Sequence, residues 1–586
     1  MKLKRYSSDG IGGQHFYVGR RFTRGLVWFF WSWSILNPFI PVAGAVPASI
    51  SPAWVQRYHN VGSNSTDLPV KVVTDTAGDV VVTGFTDNNS TGHDIITIKY
   101  SGANGALLWR KRFDGRASGN DEPRSLAIDG SGDVIVVGYS NNGTNNDYYT
   151  AKYSGSSGTI IWERVYDGPG QSDDEANAVA VDAAGNVIVT GFSVGDGGTN
   201  DYYTVKYRGT DGGLVWEKRY NGPAGADVGS IFGAMPGDIA YAVAVDGDGN
   251  AVVTGSSCSS RFNTDYYTAR YAAADGALLW EKRYDGPWGN HAPDVAIAVL
   301  VDRKGDVLVT GYSFIDPLNQ DFYTAKYSGA NGAPLWEKRF DGSTHNYDGP
   351  LAMAIDNGGN AIVTGFSLTS GSSSYDYYTA KYAASNGALL WEKRYNASNQ
   401  VDVATSIATD TNDNVIVTGY SYGGSQPFPH SDSYTVKYAG ADGLELWGRR
   451  YGGSSESALA VDKSGNVITT GPVPGNQFYS LPDFQTVKLG SADGALLWEK
   501  RFDDKSNFGG PATAVVIDSF GNVAVTGWSR NDFPNNDSDI YTAKYRRDGT
   551  ILWENRYDGF ANNWDDGRAM AVDGSGNVIV VVAMSL

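Results

Sequence analysis

From Trp54 to the C-terminus, short apolar runs alternate with glycine-bearing polar turns, and the same order of runs returns about every 54 residues. Within each copy a run such as AVAVD alternates small and branched residues and ends on an aspartate. NVIVTG follows, a β-branched run of the kind buried on both faces of a sheet. Between the two lies D-x-x-G-N, a tight-turn signature in which Gly and Asn tolerate positive φ. After a variable stretch comes DYYTAKY, whose alternation places Tyr149, Ala151 and Tyr153 on one face. SGSSG then reverses the chain into IIWERVY, and a second variable stretch leads to the next copy. Four antiparallel strands per unit, repeated around an axis, make a β-propeller blade. The pattern therefore predicts an all-β fold, a β-propeller of about ten four-stranded repeats closed into one large ring. Two smaller propellers in tandem are the alternative, with the insertion Asn221 to Ala240 as the seam.

The markers do not all occur equally often. The fourth-strand tryptophan is found at Trp54, Trp109, Trp162, Trp216, Trp280, Trp336, Trp391, Trp447, Trp498 and Trp553. The aspartate that ends the first strand recurs just as often, from Asp75 through Asp129, Asp182 and Asp246 to Asp573. The third strand is found one time fewer, last at Ile540 to Tyr545. The repeat region thus opens on a fourth strand and stops after a second one. That stagger predicts a ring closed by strands from both ends of the chain, with a terminal blade that either is incomplete or belongs to a longer chain.

Whole units, such as DYYTAKYSGANGALLWEKRYDG and AVDxxGNVIVTG, resemble the bacterial SBBP-type β-propeller repeat proteins across essentially all of the chain from Trp54 onward. The resemblance implies an extracytoplasmic, modular protein without an established activity. AKYSGSSGTIIW (Ala151 to Trp162) is also similar to the tryptophan-docking motif of quinoprotein propellers, with one extra residue. That similarity implies a tryptophan packed between adjacent blades.

Residues 1–45 have a different composition. Lys2, Lys4, Arg5, Arg20, Arg21 and Arg24 precede an apolar run from Leu26, and Ala43-Gly44-Ala45 supplies small residues at its exit. This order describes a secretory signal peptide over 1–45, followed by a repeat domain over 46–586. An uncleaved anchor from Leu26 to Ala45 is the rival, disfavoured by the prolines inside it. The expected location is therefore secreted or cell-envelope. A formal charge of −18 argues against binding nucleic acid or a membrane surface through a basic patch. One cysteine, Cys258, excludes an intrachain disulfide and a Cys-based zinc site, so strand pairing and blade packing must supply stability.

Recurrence separates architecture from function, because a catalytic site needs one asymmetric constellation. The repeated aspartates, the YTAKY lysines (Lys152, Lys206) and the glutamates after tryptophan (Glu163, Glu217) read as turn caps and cross-strand ion pairs, worth about 0.2–1 kcal/mol each. The D-x-x-G-N and SGANG turns fall on one face of the ring. The variable stretches fall on the other, where a repeat protein carries its binding surface. The candidate binding residues on that face are Asp173, Asp174, Glu175, Trp288, His291, Tyr347, Trp564, Asp565 and Asp566. Carboxylates of this kind suit a hard cation, with calcium as the candidate, although no segment fits an EF-hand. No cofactor motif, G-x-S-x-G elbow, P-loop or dinucleotide fingerprint is present, and no catalytic residue is assigned. The sequence thus favours a monomeric, non-enzymatic module that binds protein or glycan. The alternative is a glycosidase or lyase with paired acids at the channel mouth.

Overall fold

In the computed structural model, the repeat's apolar runs form 38 strands among the described residues, each paired antiparallel with its neighbours inside one blade. The structure describes residues 67–584, without 76, 78, 89–91, 102–105, 118, 224–236, 261–262, 290–292, 317–318, 344, 369–373, 398–400, 424–429, 453–457, 474–482, 503–511, 531–537, 558–564, 573–575 and 577. Nine repeats form complete four-stranded blades. Blade 2 consists of Asp121–Ile128, Val134–Asn141, Asn146–Tyr153 and Ile160–Tyr166, and blade 3 of Asp174–Val181, Val187–Val194, Asn200–Tyr207 and Leu214–Tyr220. A hairpin, Asp565–Val572 with Val578–Met584, stands for the tenth copy. Among the described residues no third strand follows this hairpin, and Trp54 lies outside them. The hairpin packs on blade 9 and also on the first strand of blade 1, where Asp67 pairs with Met584.

Burial follows strand order. The second and third strands of blade 2 are buried on nearly every residue, whereas the fourth buries Trp162 and leaves Ile160 and Val165 exposed. Successive residues of the third strand point into opposite seams. Tyr148 packs with Trp162 against Val187, Val189 and Tyr203 of blade 3. Tyr149, Ala151 and Tyr153 pack back against Val81, Ile95 and Trp109 of blade 1, as the alternation predicts. The six seams from blade 1 to blade 7 also pair the last aromatic of one blade with a tyrosine of the next, with ring centroids 4.2 Å apart for Tyr166–Tyr203 and 3.6 Å for Tyr284–Tyr323. Blades 3 and 4 share a continuous core of this kind, including Ile188, Trp216, Ala240 and Tyr267. The Asn221 to Ala240 insertion therefore does not separate two packing units.

The glycine closing each VTG run has a steric cause. The first strand carries a bulge against the second, between Pro123 and Ser125 in blade 2 and opposite Thr190 and Gly191 in blade 3. This brings the bulged backbone onto the glycine: a Cβ on Gly191 would lie 1.9 Å from the Glu175 carbonyl oxygen, and one on Gly138 would lie 2.1 Å from that of Glu122.

Two carboxylate systems pin blades 2 to 7. On the face with the constant turns, Asp129 Oδ1 accepts the backbone N–H groups of Ser131 and Asp133, and Oδ2 accepts Lys152 Nζ at 2.6 Å. Lys152 Nζ also donates to the Gly209 carbonyl of blade 3 at 2.8 Å, and the Trp162 indole N–H donates to that same oxygen at 3.1 Å. The indole lies against Gly212, whose φ of 63° and 2.5 Å Cβ approach to the ring leave room only for glycine. Tryptophan docking between blades is thus present. The ion pair, however, is buried, with Lys152 and Asp129 side chains 5% and 2% exposed, so the small surface-pair energy does not apply. On the opposite face, Asp174 is fully buried, accepting Gly168 N–H at 2.6 Å and Val194 N–H at 2.8 Å. Asp121, Asp238, Asp294, Asp348 and Asp402 are buried at the corresponding positions.

Removing one partner of a buried pair strands the other's charge. Lys152→Met is expected to lower unfolding stability by about 3–5 kcal/mol in denaturant titrations. Asp129→Asn combined with Lys152→Met should lose less than Lys152→Met alone; an equal or larger loss would show that charge pairing is not what holds the seam.

The two carboxylate sets also have opposite pH dependence. Burial pushes Asp238 and Asp402 up to about 6, against hydrogen bonds from Ser257 and Ser421. Their contribution is complete below the ordinary 3.8 and lost as pH rises through about 6. Burial also opposes ionisation of Asp182 and Asp356, but hydrogen bonds from Lys206 and Lys381 outweigh it and hold both below the ordinary value. Their contribution is present above 3.8 and lost as pH falls further. Thermal melts at constant ionic strength in chelator should therefore peak between pH 4 and 6. A midpoint that keeps rising from pH 5 to 8 would contradict this assignment.

Candidate functional site

The two faces are chemically distinct, as the loop classes predict. The constant turns of a blade bond to each other, with Gly155 N–H donating to Asp133 Oδ1 at 2.9 Å. The variable loops interlock on the other side: Asn145 Nδ2 donates to the Ser172 carbonyl at 2.7 Å and Asn146 N–H to Asp173 Oδ1 at 3.0 Å. These contacts tie the second-to-third loop of blade 2 to the loop entering blade 3.

The candidate residues do not converge on one point. Asp173 holds that loop junction. Asp174 is not displayed to solvent: it is fully buried, and each of its oxygens accepts a backbone N–H. Glu175, half-buried, pairs with Arg124 of blade 2, Oε2 to Nη2 at 3.2 Å. Trp288 is half-buried in the turn entering blade 5, and half-buried Tyr347 meets Phe314 edge-on at 6.1 Å. His291 and Trp564 lie outside the described residues. Asp565 and Asp566 open the terminal hairpin, where their backbones pair with Met584 and Ala583.

Two arrangements escaped the sequence reading. The first is asymmetric. His93 Nδ1 lies 2.9 Å from Glu122 Oε1, Arg124 Nη1 lies 3.6 Å from Glu122 Oε2, and Arg124 bridges onward to Glu175. The guanidinium also sits 5.1 Å over the Tyr139 ring, and His93 stacks on Phe85 at 4.3 Å. Burial opposes ionisation of Glu122, but His93 and Arg124 together lower its pKa below the ordinary value. Burial prevails at Glu175, whose pKa is raised despite Arg124. The positions aligned with Glu122 in blades 4 to 7 hold Ile239, Val295, Gly349 and Val403, so this network belongs to the first three blades. Its signal was a glutamate in blades 2 and 3 at a position that is apolar or glycine in blades 4 to 7.

The second arrangement recurs. An aspartate at the start of the third strand, one just after the fourth, and one opening the next blade meet at the variable face. The trios are Asp94, Asp114 and Asp121; Asp147, Asp167 and Asp174; Asp265, Asp285 and Asp294; and Asp321, Asp341 and Asp348. In each, one carboxylate oxygen per residue lies within 4.8 Å of the others. An arginine of the fourth strand accompanies three of the four, as Arg112 does Asp94, Arg283 does Asp265, and Arg339 Nη1 does Asp321 at 2.6 Å. In blade 2 the position opposite Tyr149 is Val165 instead. Cys258 carries no chemistry here: burial pushes its thiol up to about 12 and its Sγ–H lies against the Gly237 carbonyl.

Residues 76–308 match the family described as outer membrane protein assembly factor BamB, a stretch from the first blade into the fifth and less than half of the chain. No curated protein matches the sequence. Among solved structures, BamB from Moraxella catarrhalis is 12% identical with a TM-score of 0.34, covering 73% of this chain and 94% of that one. Sqt1 from Chaetomium thermophilum, bound to the N-terminus of the ribosomal protein L10, is 12% identical with a TM-score of 0.36, covering 75% and 97%. The quinohemoprotein alcohol dehydrogenase of Comamonas testosteroni is 11% identical with a TM-score of 0.35, covering 70% and 72%. The chain is a β-propeller repeat protein, with a BamB-like stretch across its first blades.

Proposed function

We propose that the protein is a binding module of the cell envelope or exterior that engages a protein partner through its variable-loop face, near the His93–Glu122–Arg124–Glu175 network. The observation that carries this reading is asymmetry. The constant face repeats the same turns and the same anchor of an aspartate, a basic residue and a tryptophan, while the opposite face changes from blade to blade and concentrates a charged network on the third strand of blade 1 and the first strands of blades 2 and 3. Half-buried Trp288 and Tyr347 add aromatic anchors farther round that face. The match to an outer membrane protein assembly factor supports both the protein-binding role and the location. The basic, apolar and small-residue order of 1–45 supports export. Among the described residues, no helix is long and apolar enough to cross a membrane. The contacts of the terminal hairpin with both blade 9 and blade 1 support a single ring of blades.

A glycosidase or lyase is not favoured. The carboxylate trios recur at several seams, and two of each three acids are buried, whereas paired catalytic acids must meet a sugar from opposite sides. Glycan binding remains an outcome of the test rather than the reading adopted.

Photo-crosslinking residues placed at Trp288 and Tyr347 should trap the same protein in the native host, and placed at Ser156 or Asp275 on the constant face should trap none. Arg124→Ala should weaken that capture without altering the thermal midpoint by more than a few degrees. Equal trapping from both faces, or hydrolysis of polysaccharide by the purified chain, would overturn the proposal.

A further inference from the structure

We propose that the seam between blades 5 and 6 binds a divalent cation of the calcium class, held by Asp321, Asp341 and Asp348 with Asn319 beside them. Blade 5 comprises Val295–Val301, Val307–Asp316, Asn319–Tyr327 and Pro334–Phe340, and Asp348 opens blade 6. The three carboxylates therefore come from the third strand of one blade, the residue leaving its fourth strand, and the first strand of the next. One oxygen of each lies within 4.8 Å of the others, which is twice a Ca–O bond of about 2.4 Å. A small closure of the three oxygens places them all on one ion.

Charge and hydrogen bonding both point to a ligand there. Asp321 is fully buried; Arg339 occupies its Oδ2 at 2.6 Å, and its Oδ1 has no hydrogen-bond partner. Asn319, 2% exposed, directs Nδ2 to Asp341 Oδ1 at 3.3 Å, and its own Oδ1 has no partner either. Buried acceptors of this kind cost free energy unless something positive meets them. Asp348 is fully buried and accepts Gly342 N–H at 2.6 Å and Leu368 N–H at 3.0 Å. The trio's direct ionic contacts are Arg339 on Asp321 and exposed His345 on Asp341 at 2.7 Å, with Arg394 acting on Asp348 from farther off.

The donor set selects the ion. It is all oxygen, which disfavours zinc, and it sits between two blades with no octahedral rigidity, which disfavours magnesium. Among the four trios, this one is the most enclosed: Asp341 is half-buried, while Asp114, Asp167 and Asp285 are exposed. Elsewhere the middle acid is an amide, Asn221 between Asp201 and Asp238 and Asn396 between Asp376 and Asp402, which weakens the same position. The bound ion would clamp blade 5 to blade 6 at the variable face, opposite the Lys326–Asp302 pair.

The test uses the full mature chain, stripped with chelator at pH 7.5 and titrated with calcium chloride, with terbium luminescence as a second probe. Saturable calcium binding and a raised thermal midpoint are expected, with binding weakening as acid competes for the carboxylates. Asp341→Asn, the more exposed ligand, should remove one site from the stoichiometry while melting close to the parent in chelator; Asp321→Asn should remove the same site and also lower the midpoint in chelator, because Arg339 loses its partner. No saturable calcium or terbium binding would overturn the proposal. So would an unchanged stoichiometry in Asp341→Asn, or an equal midpoint shift from sodium at matched ionic strength.

Discussion

The seam between blades rests on a buried ammonium shared by three groups. Lys152 neutralises the aspartate that caps its own blade's turn and donates to a carbonyl of the next blade, where the Trp162 indole also ends. Lys99 makes the same set of contacts one blade earlier, at 2.6 Å to Asp75 and 2.7 Å to the Gly155 carbonyl, and Lys381 makes it later with Asp356 and Gly440. In blade 4 Arg270 takes the lysine's place against Asp246. A buried charge of this kind is costly unless every partner is in position, so the register of one blade is coupled to the placement of its neighbour. The aromatic stacks and β-branched cores then fill a seam whose geometry is already specified.

That coupling frees the opposite face. Loops between the second and third strands, and between blades, need only begin and end on the buried aspartates represented by Asp174. Between those points they can change length and chemistry without disturbing the seam. The His93–Glu122–Arg124–Glu175 network and the carboxylate trios occupy this freedom in different ways. The network uses positions that are apolar or glycine in blades 4 to 7, and so distinguishes one sector of the propeller. The trios use positions that recur, and so give several seams the same electrostatic demand.

Much of the fold was legible in the sequence because a repeat states its rule many times. Strand order, the two classes of loop, the docked tryptophans and the missing third strand of the terminal copy all follow from aligning the units. The energetic weight of the recurring ion pairs was not legible, since a lysine in YTAKY looks the same whether solvated or buried. Asp174 misled for the converse reason: it belongs to an acidic variable loop, yet its carboxylate turns inward to close the blade. Glu122 and Val165 were visible as departures from the repeat, but nothing along the chain said what each would face.

The sequence by itself determined the blade, because hydrophobic period, turn glycines and repeat length are local properties that each unit carries whole. Tertiary structure alone decided which carboxylates meet. Asp321, Asp341 and Asp348 lie 27 residues apart from first to last and on two different blades, and only the packing of those blades brings their oxygens within 4.8 Å. Proximity between blades depends on the twist and stagger of neighbouring sheets, which no single repeat encodes.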